Sequence, residues 1–365
     1  MIRPALAELR PYEPGKPVEE VQRELGLARV IKLASNEGPF GPFPDALVAL
    51  ERSAGELNRY PDGGAYRLRL ALADRHGVPA EQVALGAGAD GVIDGIAQAT
   101  LDPGDEVVCG WPSFPSYVIY ARKLGGVPRM VPLRDHRYDL EALLEAVGPR
   151  TKLVFISHPN NPTGTMNTRA ELDAYFEAVP EHVLTVLDQA YFEYIDDPNY
   201  PDGIEEYAKR GHRVAVLRTF SKIYGLAGLR IGYGIAAAPL VTAIVKVRRP
   251  FDLNVQAQAA ALASLGRESE VERRRRVNAD GRVRIERALV GQGLEVVGPA
   301  VANFVFAEVG EEAHSLFDAL LRLGVIVRPL DGFGAPTAIR VTVGTPEENE
   351  VFAGALARAR AQLAA

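Results

Sequence analysis

The sequence predicts an α/β protein in which a large unit, built on a mostly parallel sheet covered by helices, is joined to a smaller α+β unit. Three observations carry this expectation. The chain has 365 residues, more than one hydrophobic core ordinarily supports, so a second packed unit is expected. From Ala65 to about Leu240 short apolar runs alternate with helix-like segments, as parallel strands buried on both faces do. Beyond Arg249-Pro250 the texture shifts to longer helical stretches. The expected division is an N-terminal arm at 1–45 that joins the small unit, a large unit at 46–249 and a small unit at 250–365.

Taken in order, Ala65 to His76 reads as a helix, with Leu68 and Leu72 one turn apart and Gly77 to end it. Val83 to Gly86 reads as a short strand and Asp90 to Thr100 as a helix. The apolar runs Glu106 to Cys109, Leu153 to Ser157, Val183 to Leu187 and Val214 to Leu217 read as strands, with a helix at Arg169 to Ala178. Val255 to Leu289 is helical, with a break expected at Gly266. Leu294 to Val297, Ala302 to Glu308, a helix at Glu312 to Leu323, and Val325 to Arg328 follow. Ile339 to Val343 is a final strand, and Pro346 opens a helix that runs to Leu363.

Composition narrows the function classes. With 47% hydrophobic and 24% charged residues, the chain resembles neither a disordered nor a fibrous protein. A formal net charge of −6 and the lack of a sustained basic stripe argue against a nucleic-acid partner, and Arg273 to Arg276 reads as a solvated helix face. Cys109 is the single cysteine, which rules out an intramolecular disulfide and fits a reducing compartment. Residues 1 to 30, with Pro4, Pro11, Pro14 and Pro17, lack the apolar run of a signal peptide, and no 18-residue apolar stretch is present. A cytoplasmic protein without membrane contact or a bound metal is expected.

Five segments that follow strand-like runs carry candidate chemistry. Lys222 lies where the strand ending at Leu217 gives way to a loop, between the hydroxyls of Thr219 and Ser221 and, eight residues on, Arg230. A primary amine beside phosphate-holding groups suits an aldehyde cofactor, and pyridoxal 5′-phosphate (PLP) combines both features. A solvated surface lysine is the plain alternative. Gly86 to Gly91 turns a strand into a helix and offers amides to an anion, with Ala89 and Asp90 in the turn. Pro159 to Gly164 can be a rigid turn or place Asn161 as a donor to a phenolate oxygen. Asp188 can cap the segment after it or keep a pyridine nitrogen protonated, and Tyr191 can donate to the ring's 3-oxygen. Phe114 can stack on a flat heterocycle or fill a core.

With these segments in one order, the chain resembles the fold type I, class I/II PLP-dependent aminotransferases, most closely the histidinol-phosphate aminotransferase group. The resemblance spans nearly the whole length. It rests on Leu9-Arg10-Pro11-Tyr12-Glu13-Pro14-Gly15-Lys16-Pro17, Leu33-Ala34-Ser35-Asn36-Glu37, Arg59-Tyr60-Pro61-Asp62, Asn160-Asn161-Pro162-Thr163-Gly164, Ser221-Lys222 and Ile339-Arg340-Val341-Thr342-Val343-Gly344-Thr345. It implies PLP on Lys222, Asp188 at the pyridinium nitrogen, Tyr191 and Asn161 at the 3-oxygen and Phe114 on the ring face. Around the phosphate it implies Ala89, Asp90, Thr219, Ser221 and Arg230, with Tyr60 from the second subunit of a homodimer. Arg340 is expected at the substrate carboxylate, with Tyr12, Asn36 and Arg328 also at the substrate.

Two positions depart from the family pattern: Phe114 stands where tyrosine is usual, and Gln189 where glutamate is frequent. The expected reaction is transamination between histidinol phosphate and 2-oxoglutarate, giving imidazole acetol phosphate and glutamate, in histidine biosynthesis. An aromatic amino acid aminotransferase and a threonine-phosphate-type decarboxylase share the scaffold. A PLP-binding regulatory module without turnover is the reading outside enzymes, disfavoured because no DNA-binding segment is expected ahead of the fold.

Overall fold

The computed structural model describes residues 2–7, 9, 11–12 and 14–364. Arg10 and Glu13 of the opening motif therefore lie outside the described residues. The chain starts with α1 (Val18–Leu25), β1 (Ile31–Lys32), α2 (Pro44–Ser53) and α3 (Tyr66–His76). Strands and helices then alternate through β2 (Val83–Gly86), α4 (Gly88–Thr100), β3 (Glu106–Trp111), α5 (Ser116–Lys123), β4 (Val127–Pro132), α6 (Leu140–Glu145), β5 (Thr151–Ser157), α7 (Arg169–Ala178) and β6 (Leu184–Asp188). After β7 (Val214–Thr219) and β8 (Gly232–Ile235) come α8 (Ala238–Val247), α9 (Val255–Ser264) and α10 (Glu268–Gly291). The last part holds β9 (Glu295–Val296), β10 (Phe304–Glu308), α11 (Ala313–Arg322), β11 (Val325–Ile326), β12 (Arg328–Leu330), β13 (Ala335–Thr342) and α12 (Pro346–Leu363).

Seven strands form one sheet in the order β2-β8-β7-β6-β5-β3-β4. β8 runs antiparallel to both β2 and β7, and the other pairings are parallel. The central strands are apolar on both faces because helices cover both. Val108, Val154, Ile156 and Val216 point into the layer of α3, α7 and α9, while Val107, Cys109, Phe155 and Leu217 point into the layer of α4, α5 and α8. Alternate residues therefore serve alternate layers, as the two-residue period of a strand requires. Cys109 is fully buried there, and burial pushes its thiol up to about 12. Among the described residues no helix is long and apolar enough to cross a membrane.

The remaining strands make a four-stranded antiparallel sheet, β12-β13-β10-β9, and a short parallel pair of β1 with β11. α10, α11 and α12 cover them with Ile285, Leu289, Leu316, Leu320, Phe352 and Leu356. The N-terminal arm is stitched to this region, since Leu33 N donates to Ile326 O at 2.8 Å and Thr342 N donates to Leu33 O at 2.8 Å. The break at Gly266 is present with φ +74°, separating α9 from α10. Although α9 follows residue 250, its Ala257, Ala260 and Ala261 pack into the layer over the seven-stranded sheet, as does Val271 at the start of α10.

Several elements escaped the sequence reading for physical reasons. β4 lies at the sheet edge with Val127 and Met130 exposed and prolines at both 128 and 132, so it has little apolar or strand-like signature. β8 begins Gly-Tyr-Gly, and its glycines are required by closeness rather than by strand propensity. A Cβ on Gly232 would lie 2.3 Å from Ala89 N, and one on Gly334, ahead of β13, would lie 2.0 Å from Trp111 Nε1.

β8 thus passes directly beneath the first turn of α4. Gly232→Ala is expected to lower the stability measured by urea denaturation by about 1–3 kcal/mol, the cost of overpacking. Gly228→Ala, where an added Cβ meets nothing within 4 Å, should stay within about 0.5 kcal/mol of the parent.

Candidate active site

The carboxyl ends of β2, β5, β6 and β7 open onto one cavity, the place where open α/β sheets bind ligands. β7 leads through Thr219 and Ser221 to Lys222, whose Nζ lies 3.4 Å from Ser35 O and 5.4 Å from the centre of the Tyr191 ring. Burial, together with the Arg340 and Arg230 charges, brings the Lys222 amine down to about 7, with Glu37 and Asp188 opposing. Much of this amine is therefore free base near neutral pH, the form that attacks a carbonyl.

Next to it, Arg230 takes a left-handed backbone conformation (φ +57°) and turns its guanidinium toward the first turn of α4. It donates to Ala227 O at 3.0 Å and Ala87 O at 3.4 Å. Gly88 makes room, since a Cβ there would lie 2.6 Å from Arg230 Nη2. Ala89 and Asp90 occupy that first turn and line the cavity with Thr219 and Ser221. The Tyr120 hydroxyl donates to Asp90 Oδ2 at 2.6 Å, turning the carboxylate toward α5.

Asp188 ends β6. Its Oδ2 accepts from the Tyr117 hydroxyl at 2.8 Å and its Oδ1 from Ala190 N at 3.1 Å. Burial raises this carboxyl above the ordinary aspartate range, against the Tyr117 and Ala190 bonds and the Lys222 charge. Tyr191, pushed up to about 12 by burial, receives a hydrogen bond on its hydroxyl from Asn36 Nδ2 at 3.0 Å. Asn161 Oδ1 accepts from Arg340 Nη1, so the amide nitrogen is what Asn161 has left to offer the cavity. Arg340 also donates to Ala34 O at 2.8 Å and lies between Phe304 and Phe333, 5.2 Å and 5.1 Å from their ring centres. Burial and the nearby Arg328 bring its guanidinium down to about 10. Phe114 packs edge-on against Tyr117 and Tyr12, with ring centres 5.6 Å and 6.5 Å away.

Two expected residues lie elsewhere. Tyr60 is 82% exposed and stacks on Phe251, with ring centres 4.7 Å apart. Arg328 lines an adjoining groove with Tyr12 and Phe333 and stands opposite Arg340 in the β12–β13 register. Ser35, Ser157 and Phe333 line the cavity without having been singled out, and Tyr117 and Tyr120 hold its two carboxylates. Ser35 lies in the Leu33 to Glu37 motif without being picked from it, and the others stand in no motif. Tyr117 and Tyr120 could have been found only from their spacing after Phe114.

The class I and II aminotransferase family model matches residues 28–356. The chain belongs to this family. It is 46% identical over 355 residues to the histidinol-phosphate aminotransferase of Moorella thermoacetica, covering 97% of this chain and 92% of that one. It is also 46% identical over 351 residues to the aromatic amino acid aminotransferase of Thermobifida fusca, covering 96% and 95%. Its fold superposes on the histidinol-phosphate aminotransferase of Sinorhizobium meliloti in complex with pyridoxal 5′-phosphate, with TM-score 0.89, 31% identity and 99% and 98% of the chains covered. The protein is accordingly a PLP-dependent transaminase.

The cavity fits that cofactor. Arg230 is pressed against the positive end of α4, and among the described residues no carboxylate lies within ion-pair distance of it. Two positive groups held together in this way call for an anion such as a phosphate. Lys222 and the buried Asp188 supply the amine and the carboxylate that the rest of the cofactor needs.

Because Lys222 is free base above about 7, capture of PLP by the cofactor-free protein should speed up as pH rises through that value and slow as the amine protonates below it. Stopped-flow absorbance at several pH values measures this. Borohydride should then fix the label to the peptide containing Lys222 and to no other lysine.

Proposed function

We propose that this transaminase moves an amino group between histidinol phosphate and 2-oxoglutarate, giving imidazole acetol phosphate and glutamate. The observation that carries the reading is the register pair Arg328 and Arg340 beside the Lys222 cavity. A guanidinium fork accepts a carboxylate or a phosphate with equal geometry, so one set of groups serves glutamate and a phosphorylated amine in turn. The name of the Moorella thermoacetica relative supports the same choice.

When bound, PLP supplies an aldehyde that holds the substrate nitrogen and a ring that withdraws electrons from the adjacent carbon. The chain's own groups do the rest. Lys222 Nζ takes the proton from the amino-bearing carbon and hands it to the carbon on the cofactor side of the same C–N bond, and in the second half of the reaction it moves one in the opposite direction. Asp188 holds the positive charge at the ring nitrogen, while Tyr191 and Asn161 donate to the 3-oxygen. Phe114 covers one ring face. Thr219, Ser221, Arg230 and the Ala89 and Asp90 turn hold the phosphate. Tyr12, Asn36, Arg328 and Arg340 orient the substrate.

The working unit in this reading is a homodimer in which Tyr60 reaches the phosphate of the second site. Its exposure on the free chain leaves it available for that role, since the tyrosine is 82% open to water and stacked on Phe251. The division between the large and small units at residues 249 and 250 belongs to the same reading, and α10 touches both. Val271 of this helix packs with the large unit, and Ile285 and Leu289 pack with the small one. A cytoplasmic location belongs to the same proposal.

A second reading, an aromatic amino acid aminotransferase, is favoured by two observations. Phe114 stands at the stacking position, and the Thermobifida fusca relative is as similar as the Moorella thermoacetica one. The two readings separate in single-turnover kinetics on the PLP-loaded enzyme. Histidinol phosphate should react more efficiently than phenylalanine or tyrosine by at least about tenfold, equivalent to about 1.4 kcal/mol of differential transition-state binding. The reverse ranking replaces the substrate and keeps the chemistry.

The shared site is tested by subunit mixing. Tyr60→Ala and Lys222→Ala homodimers should each be nearly inactive. Their heterodimer should regain one intact site, and with it up to about half of the parent activity per dimer. Absence of recovery despite demonstrated subunit exchange rejects the role of Tyr60.

A further inference from the structure

Tyr117 is fully buried on α5 and does not reach the cavity, yet it touches two groups that do. Its ring stacks on Phe155 of β5, with centres 4.5 Å apart and planes 10° from parallel. The edge of the same ring meets Phe114 at 5.6 Å and 83°. Its hydroxyl donates to Asp188 Oδ2 at 2.8 Å. With the ring clamped on two sides, the phenol oxygen is held between Asp188 and Ser157.

We propose that Tyr117 is a positioning residue for transamination: its hydroxyl locks the Asp188 carboxylate as an ionised acceptor toward the cofactor's ring nitrogen, and its ring ties that position to Phe114. The inference rests on the role given to Asp188 above. A neutral donor to a carboxylate favours the charged form and makes it a weaker base. The ring proton therefore stays on the ligand nitrogen instead of passing to the acid. Tyr117 cannot become a proton source itself, because burial and the Asp188 charge raise its phenol well above the ordinary range. Other groups facing Asp188 are Asp90 on α4, Lys222 after β7, Tyr191 after β6 and Tyr138 ahead of α6. Asp90 raises the Asp188 carboxyl and Lys222 lowers it; its neutral donors are the Ala190 amide on Oδ1 and Tyr117 on Oδ2, so Tyr117 is the side chain that fixes direction as well as charge state.

The test uses the PLP-loaded enzyme and the Tyr117→Phe variant, with Asp188→Ala as reference. Three readouts are needed: kcat and KM across pH, the PLP dissociation constant, and the 15N chemical shift of ring-labelled PLP bound to each protein. In Tyr117→Phe, kcat should fall about tenfold or more, as loss of a hydrogen bond to a charged group implies, with KM changed by less than about twofold. The acid limb of kcat should move upward by about one pH unit, because Asp188 then protonates more readily. PLP should bind severalfold more weakly, and the 15N signal should move toward the unprotonated position.

A Tyr117→Phe enzyme whose acid limb and 15N shift coincide with the parent overturns the proposal, even if it melts at a lower temperature, since that is the result of a purely structural role. Should Tyr117→Phe not fold, 3-fluorotyrosine at the same position keeps the shape and strengthens the donor. The acid limb must then move the other way, and an unmoved limb overturns the proposal. If Asp188→Ala itself keeps the parent's kcat and 15N shift, the reading of Asp188 fails instead, which separates the two ideas.

Discussion

Lys222, Arg230 and Arg340 all face one cavity, and the first turn of α4 adds the positive end of its amide dipoles. Opposing them in the lining are two carboxylates, Asp90 and Asp188. Like charges enclosed together repel more strongly than they would in water, so the fold has to hold each in place by other means. Arg340 is gripped by Asn161 and the Ala34 carbonyl, and Arg230 by the carbonyls of Ala87 and Ala227. Burial first, and then the positive field, depress the Lys222 amine, and the site is completed by negatively charged ligands. Cofactor and substrate anions therefore act as missing structural parts, and saturation with them stabilises the protein by mass action.

The second constraint is the joint between the two sheets. Asn36 is held in a left-handed conformation, φ +53°, at a cost of about 1 kcal/mol for a residue with a side chain. Four bonds offset it. Asn36 N donates to Thr342 Oγ1 at 3.0 Å, and Thr342 Oγ1 donates to Asn36 Oδ1 at 3.0 Å. Asn303 Nδ2 donates to Asn36 O at 3.2 Å, and Asn36 Nδ2 reaches Tyr191 at 3.0 Å. The small sheet, the N-terminal arm and the end of β6 thus meet at one side chain. Arg340 makes the parallel connection from β13 to Asn161 after β5.

Much of this was legible in the sequence because ligand-binding groups in a parallel sheet follow apolar runs. Lys222, Asp188, Asn161 and the Gly86 to Gly91 turn each stand just past a strand that reads as one. What was not legible depends on the third dimension. Tyr117 and Tyr120 sit on α5, whose apolar residues are consecutive enough to hide the helical period. β8 hides behind glycines selected for proximity to α4. Beyond residue 250 the alanines of α9 pack closely against α2 and α3, over the seven-stranded sheet, a pairing that no local pattern announces. Tyr60 could be named from a motif, and its surroundings on the free chain are those of a surface residue.

Trp111, at the end of β3, is the single tryptophan. Its indole nitrogen occupies the space that any side chain at Gly334 would fill, and it lines the groove beside Tyr12, Arg328 and Phe333. The molecule therefore carries one natural fluorophore for red-edge excitation, lodged between the large sheet and the turn that bears Phe333. Its emission and quenching report on a single place, so the arrival of ligand in the groove can be followed in real time without attaching a dye.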